Sequence, residues 1–200
     1  MIGIAREGGL LLLTLQRPDK ANALSRAMLA DVLAALADPP QVLILTGEGR
    51  VFSAGADLDE ARAGLATDPI WDAVSNRIAS LPGLTIAALN GTLAGGAMGM
   101  ALACDLRLAV PGAKFFYPVM RLGYLPQPAD PGRLVALVGP ARAKLILMAG
   151  AKIEADEALA WGLIDRICAP EDLIPTACAL AADVLAAKPG HASAIKRLIG

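Results

Sequence analysis

Asn90-Gly91-Thr92-Leu93-Ala94-Gly95-Gly96-Ala97-Met98-Gly99 is the stretch that decides the fold. It leaves the apolar run Thr85 to Leu89 and enters Met100 to Cys104. It therefore reads as a strand, a bend tight enough to need glycine, and a helix whose first N–H groups find no acceptor inside the helix. A helix start of that kind attracts negative charge. Gly95 and Gly96 carry no side chains, so a ligand oxygen can come within hydrogen-bonding distance of the backbone, as a site for an oxyanion or phosphate requires. With Ala54-Gly55-Ala56-Asp57 upstream, this turn is the expected seat of the chemistry.

Three plainer readings compete. Ile78 to Cys104 holds no charged residue, and Gly91, Gly95 and Gly99 repeat at GxxxG spacing, as in a membrane helix. Pro82, Gly83, Asn90 and the paired Gly95-Gly96 argue against a helix continuous through that span. A dinucleotide fingerprint needs G-x-G-x-x-G and an acidic residue ending a later strand, and neither is present. Close packing of a buried helix is the third reading, and it is compatible with a functional role.

Working outward, 200 residues suffice for one domain, 1–200, with a substantial core. Hydrophobic residues make up 56% and charged residues 18%. That is apolar for a globular chain and points to a surface shared with another subunit. A formal net charge of -1 supplies no basic field, so no nucleic-acid partner is expected. Cys104, Cys168 and Cys178 form no C-x-x-C pair, so neither a metal site nor a disulfide framework is indicated. The absence of a signal pattern in Met1 to Glu7, together with that cysteine usage, gives the expectation of a cytoplasmic protein with no membrane span.

Taken in order, Leu10 to Gln16 predicts a strand ended by Arg17-Pro18. Asp19 to Leu24 predicts a loop, and Ser25 the cap of a helix carrying Leu29, Val32, Leu33 and Leu36. Val42 to Leu45 has the pattern of a strand buried on both faces. Asp57 is placed to cap a short helix, and a second helix is expected over Ile70 to Leu81. Leu106 to Val110 is another buried strand. The prolines at 118, 126, 128 and 131 forbid long regular structure in between. Helices are expected at Gly132 to Val138, Ala141 to Ala149, Ala155 to Trp161, Leu173 to Lys188 and Ala192 to Ile199, with a strand at Leu163 to Ile167. Strands alternating with helices predict an α/β protein with parallel pairing and right-handed crossovers.

Over nearly its whole length the chain resembles the crotonase, or enoyl-CoA hydratase/isomerase, superfamily. The residues carrying the resemblance are Arg17-Pro18-Asp19-Lys20-Ala21-Asn22-Ala23-Leu24, Phe52-Ser53-Ala54-Gly55-Ala56-Asp57-Leu58, Asn90-Gly91 with Gly95-Gly96, Cys104-Asp105, Leu122-Gly123 with Pro126, and Ala155 to Leu163. The resemblance implies a spiral of ββα units and a coenzyme A thioester as substrate, with no tightly bound cofactor. It maps the two N–H groups that hold the thioester oxygen onto Ala56 and Gly96. It maps the region for the CoA adenosine part onto Lys20, Ala21, Ala23 and Leu58. It also implies a homo-oligomer, a trimer or dimer of trimers.

Two departures follow from the same mapping. The glutamates that activate water and handle the α-proton in the hydratases fall on Gly99 and Val119, and neither residue can move a proton. The sequence also ends where the family continues into further helices, so the C-terminal helical region is expected to be shortened. Asp130, in the proline-rich segment, is the candidate acid/base; the alternative is a turn aspartate before Pro131. Tyr117 and Tyr124 are candidate hydrogen-bond donors to a bound acyl group, or simply core or rim aromatics. Asp57 reads as a helix cap, Arg121 and Arg133 as solvated, and His191 as a surface residue. The sequence thus leaves two functions open: an enzyme working through an enolate, with isomerisation favoured over hydration, or a non-catalytic acyl-CoA binder or assembly subunit.

Overall fold

Leucine repeats open the fold. In the computed structural model, which describes residues 1–199, β1 (Ile2–Glu7) and β2 (Leu10–Leu15) form an antiparallel hairpin across Gly8-Gly9. Every second residue of β2, namely Leu11, Leu13 and Leu15, is fully buried. Helix α1 (Arg26–Ala35) follows, and Ser25 Oγ accepts the Met28 N–H at 3.1 Å as the cap its position predicted. Gly200, the last residue of the expected 1–200 unit, lies outside the described residues.

From β3 (Val42–Gly47) onward one unit repeats: a long strand, a short strand in a second sheet, then a helix. β3 leads to β4 (Val51–Ser53), α2 (Leu58–Arg62) and α3 (Ile70–Ala79). β5 (Leu84–Leu89) leads to β6 (Thr92–Ala94) and α4 (Met98–Leu102), and β7 (Leu106–Ala109) to β8 (Lys114–Phe116) and α5 (Val119–Leu122). Then come α6 (Asp130–Leu147), β9 (Ile153–Glu154), α7 (Ala155–Trp161), β10 (Arg166–Ile167), α8 (Leu173–Ala186) and α9 (His191–Ile199). The large sheet runs β1-β2-β3-β5-β7-β10 and is parallel from β2 on. The small sheet runs β4-β6-β8-β9, with β9 antiparallel to β8. This is the ββα spiral of the crotonase fold.

The structure corrects the sequence reading in four places. The glycine-rich stretch is two bends with β6 between them, and its helix begins at Met98, after a 3-10 turn over Gly95–Ala97. The first bend packs against the turn at Gly49-Arg50. A side chain on Gly91 would strike the Arg50 carbonyl, and Asn90 ties the bend to that turn by donating to the Gly49 carbonyl at 2.9 Å and accepting the Gly47 N–H at 3.0 Å. The proline-studded segment contains the four-residue helix α5 and the start of α6. The helices expected at 132–138 and 141–149 form one span broken at Gly139, where φ is +79° ahead of Pro140. The strand expected from Leu163 is paired only at Arg166 and Ile167.

Arg107, 4% exposed, ties the later elements together. Its guanidinium donates to the carbonyls of Leu163 (2.9 Å) and Cys104 (2.6 Å), while the Asp165 carboxylate accepts its backbone N–H at 2.7 Å. At the chain's end, Lys196 on α9 donates to Asp105 Oδ2 at 2.8 Å and to the Gly83 carbonyl at 3.1 Å. Among the described residues no single helix is long and apolar enough to cross a membrane, and the uncharged span Ile78 to Cys104 is divided among α3, β5, β6 and α4.

Candidate active site

Two backbone segments meet at a cleft of about 280 Å³. The first, Ala54 to Asp57, is pinned from both sides. Ser53 Oγ accepts the Gly55 N–H (3.1 Å), Leu24 donates its N–H to the Gly55 carbonyl (2.7 Å), and the Leu24 carbonyl accepts the Asp57 N–H (2.9 Å). The Ala56 N–H between them has no protein acceptor among the described residues, and Ala56 lines the cleft. The second segment leaves β6 through Gly95, whose φ of +58° favours glycine. The two segments touch: a side chain on Gly55 would begin 3.0 Å from the Ala94 carbonyl oxygen and 3.3 Å from Gly95 Cα.

Trp71 closes on Gly96, where an added Cβ would stand 3.1 Å from the indole ring. The indole is fixed by its Nε1–H, which donates to the Leu65 carbonyl at 2.7 Å. Apolar and aromatic side chains complete the wall, among them Leu58, Tyr117, Leu122, Tyr124 and Leu125, and Arg62 is the one charged residue among the described residues lining it. Such a cleft suits an acyl group whose only polar demand is at its carbonyl. Among the described residues no cluster of histidine, cysteine and carboxylate side chains is arranged to hold a metal ion.

Asp130 is not a turn residue. It opens α6 and is 1% exposed, and its carboxylate rests on Gly99 of α4: a Cβ added at Gly99 would begin 2.7 Å from Oδ1. The Tyr117 hydroxyl donates to Oδ2 at 3.0 Å and accepts the Gln127 N–H at 3.3 Å, whereas Oδ1 is buried with no protein partner. Burial pushes the Asp130 carboxyl up to about 6, against the opposing pull of the Tyr117 hydrogen bond and the Arg133 charge. Burial, reinforced by the Asp130 charge, raises Tyr117 far above an ordinary phenol, so it remains a protonated donor. Arg133, expected to be solvated, is half-buried. Its Nη2 donates to Asn76 Oδ1 at 2.7 Å, and its Nη1 is buried without a partner.

Of the candidates from sequence, Ala56, Leu58, Gly95, Gly96, Tyr117 and Tyr124 share the cleft. Asp130 does not line it and reaches it through Tyr117. Lys20, Ala21 and Ala23 lie on the loop stapled to Ala54–Asp57, outside the cleft lining. Asp57 caps α2 by accepting the Asp59 and Glu60 N–H groups and pairs with Arg17 at 2.8 Å, which holds its carboxyl below the usual range. Val119 lines the cleft with no proton to give. Trp71 and Gln127 escaped the sequence reading. Trp71 falls on the apolar stripe of α3 and looks like core alone, and nothing local marks Gln127.

The family model for enoyl-CoA hydratase/isomerase matches residues 5–199. The chain belongs to that family, within the crotonase superfamily. It is 40% identical to YngF of Bacillus subtilis strain 168, which carries an enoyl-CoA hydratase/isomerase name, over 89% of this chain and 73% of that one. It is 34% identical to 4-chlorobenzoyl coenzyme A dehalogenase-2 of Arthrobacter, over 95% of this chain and 74% of that one. Among solved structures, the enoyl-CoA hydratase of Bacillus anthracis superposes with a TM-score of 0.91 at 30% identity, covering 99% of this chain and 81% of that one.

Proposed function

We propose that the protein polarises the carbonyl of an acyl-CoA thioester with the N–H groups of Ala56 and Gly96 and moves one proton through the Tyr117–Asp130 pair, so that it shifts a double bond more readily than it adds water. The observation that carries this reading is the Asp130 carboxyl lying against Gly99, the position where the resemblance expects a glutamate side chain. A carboxyl is thus retained beside the site, supplied by α6 instead of α4.

The step balances as follows. The α-C–H bond breaks, its electron pair moves into the enolate, and charge gathers on the thioester oxygen, where preorganised donors act most strongly. The Tyr117 oxygen takes the α-proton as its own proton passes to Asp130 Oδ2. Reversal of that relay at the γ-carbon completes the shift. The Gln127 N–H, donating to the same phenol oxygen, supports charge developing there. Hydration demands in addition a base for water, and neither Gly99 nor Val119 supplies one.

One observation favours a second reading, an acyl-CoA binder without turnover: Asp130 is 1% exposed and touches the cleft only through Tyr117. Paired assays separate the two. 3-Enoyl-CoA isomerisation should exceed crotonyl-CoA hydration, and Asp130→Asn should lower isomerisation by about 10²- to 10⁴-fold. Isomerisation indifferent to Asp130→Asn removes the residue from the mechanism. Calorimetric binding of butyryl-CoA without any turnover establishes the binder, and no binding at all overturns both readings.

A further inference from the structure

The 3-10 turn Leu65–Thr67, between α2 and α3, offers two consecutive carbonyls to side chains that serve opposite halves of the cleft. The Leu65 carbonyl accepts the Trp71 Nε1–H at 2.7 Å, and that indole closes on Gly96. The Ala66 carbonyl accepts a hydrogen bond from Gln127 Nε2 at 3.2 Å. Gln127 in turn donates its backbone N–H to the Tyr117 hydroxyl at 3.3 Å, and that hydroxyl donates to Asp130 Oδ2 at 3.0 Å. One turn therefore braces both the wall behind Gly96 and the phenol that leads to Asp130.

The local sequence leaves the second brace to a side chain. Pro126 and Pro128 flank Gln127 and have no N–H, so Gln127 carries the only backbone donor of the three residues. That donor goes to Tyr117, and the Gln127 carbonyl accepts the Asp130 N–H at 3.0 Å, so both backbone groups face later elements. Beyond Pro128, the Ala129 N–H donates to Asp72 Oδ1 at 3.3 Å and ties the start of α6 to α3. The Gln127 amide is what crosses to the turn at Ala66, and both residues line the cleft. The bond it steadies has little length to spare: N–H···O bonds lie between about 2.7 and 3.2 Å, and this one is 3.3 Å.

We propose that Gln127 is a positioning residue whose side-chain amide, held by the Ala66 carbonyl, keeps the Tyr117 phenol in register with the Gly96 N–H across the cleft. This rests on the Tyr117–Asp130 relay proposed above and extends it. The amide transfers no proton, and its effect passes through Tyr117. Misplacing a reacting group by about 1 Å costs up to about 10²-fold in rate, so a brace remote from the bonds being made is expressed in turnover.

The test is a double-variant cycle on α-proton exchange of butyryl-CoA in deuterated water, with affinity read by calorimetry. Gln127→Met keeps a comparable length and removes the amide. It should lower kcat by about tenfold to 10²-fold and change Kd by less than about twofold. In a Tyr117→Phe background the same substitution should cost less than about twofold, because the group it positions is gone. A merely structural role would cost the same factor in both backgrounds, which overturns the proposal, as does a loss confined to affinity or no loss at all. If Gln127→Met does not fold, Gln127→Glu, which sets an acceptor against the Ala66 carbonyl, carries the same cycle with the same expectations. Exchange lowered by Tyr117→Phe but not by the Gln127 variants overturns this proposal and leaves the relay standing. Exchange indifferent to Tyr117→Phe, or absent from the unaltered protein, overturns the relay and this proposal with it.

Discussion

Asp130 Oδ1 lies 2.7 Å from the point at which a side chain on Gly99 would begin. Residues on two different helices therefore share one volume, and only one of them can fill it. Gly99→Ala should destabilise the protein by about 1–3 kcal/mol through overpacking. The penalty should shrink when Asp130→Ala is combined with it. Urea unfolding of the four members of the cycle measures that coupling, and strict additivity would show that the two positions do not compete.

The same burial makes stability depend on pH. The Asp130 carboxyl ionises near 6 in the folded protein and near 3.8 unfolded, so the folded state holds the proton more tightly between those values. Its contribution is complete below about pH 4 and is lost as pH rises through 6, a change on the order of 3 kcal/mol. Asp130→Asn abolishes this titration. Relative to the unaltered protein, the variant should gain stability between pH 4 and pH 8, as thermal unfolding across that range would reveal. A constant difference would mean that the carboxyl titrates alike in both states.

Tyr117→Phe removes the hydroxyl that links Asp130 to the cleft and leaves both Oδ2 and the Gln127 N–H without it. Isomerisation should fall by about 10²-fold or more while the affinity for butyryl-CoA, read by calorimetry, changes little. An equal loss of affinity would assign Tyr117 to binding instead.

Gly96→Ala pushes a methyl group against an indole that is already tethered to the Leu65 carbonyl. Either the ring or the Gly96 peptide must yield. Displacing one of two donors to a developing oxyanion should cost about 10²- to 10³-fold in α-proton exchange. The circular dichroism spectrum should stay native. Unimpaired exchange would remove the Gly96 N–H from the site.

What was legible in the chain divides by the range of the interactions involved. Ser25, Asp57, β3 and the glycines at 95 and 96 announce themselves because cap chemistry, burial on both faces and close backbone approach are written in neighbouring residues. β6 and β8 are three residues long, too short for any periodicity, and exist because β4 and each other are there to pair with. The resemblance maps the oxyanion donors onto Ala56 and Gly96 and the hydratase glutamates onto Gly99 and Val119. It gave no way to see that Asp130 fills the volume over Gly99, since that meeting depends on how α6 docks against α4. Arg133 misled for the same reason: its partner Asn76, which in turn donates to Asp72, comes from α3.

The guanidinium of Arg107 fastens the Cys104 carbonyl, just past the end of α4, to the carbonyl of Leu163. That anchorage makes the two walls of the cleft mechanically unequal. The wall that starts at Gly95 is backed by a helix held at its far end, with every residue of α4 buried. The facing wall carries α2, a five-residue helix that buries no residue and exposes Leu58 to 69%. Compliance is thereby assigned to one side. A side chain exchanged on α2 therefore meets solvent, whereas one exchanged on α4 meets packed core, and Ala56 itself stays pinned to Leu24 through the peptide units on either side of it.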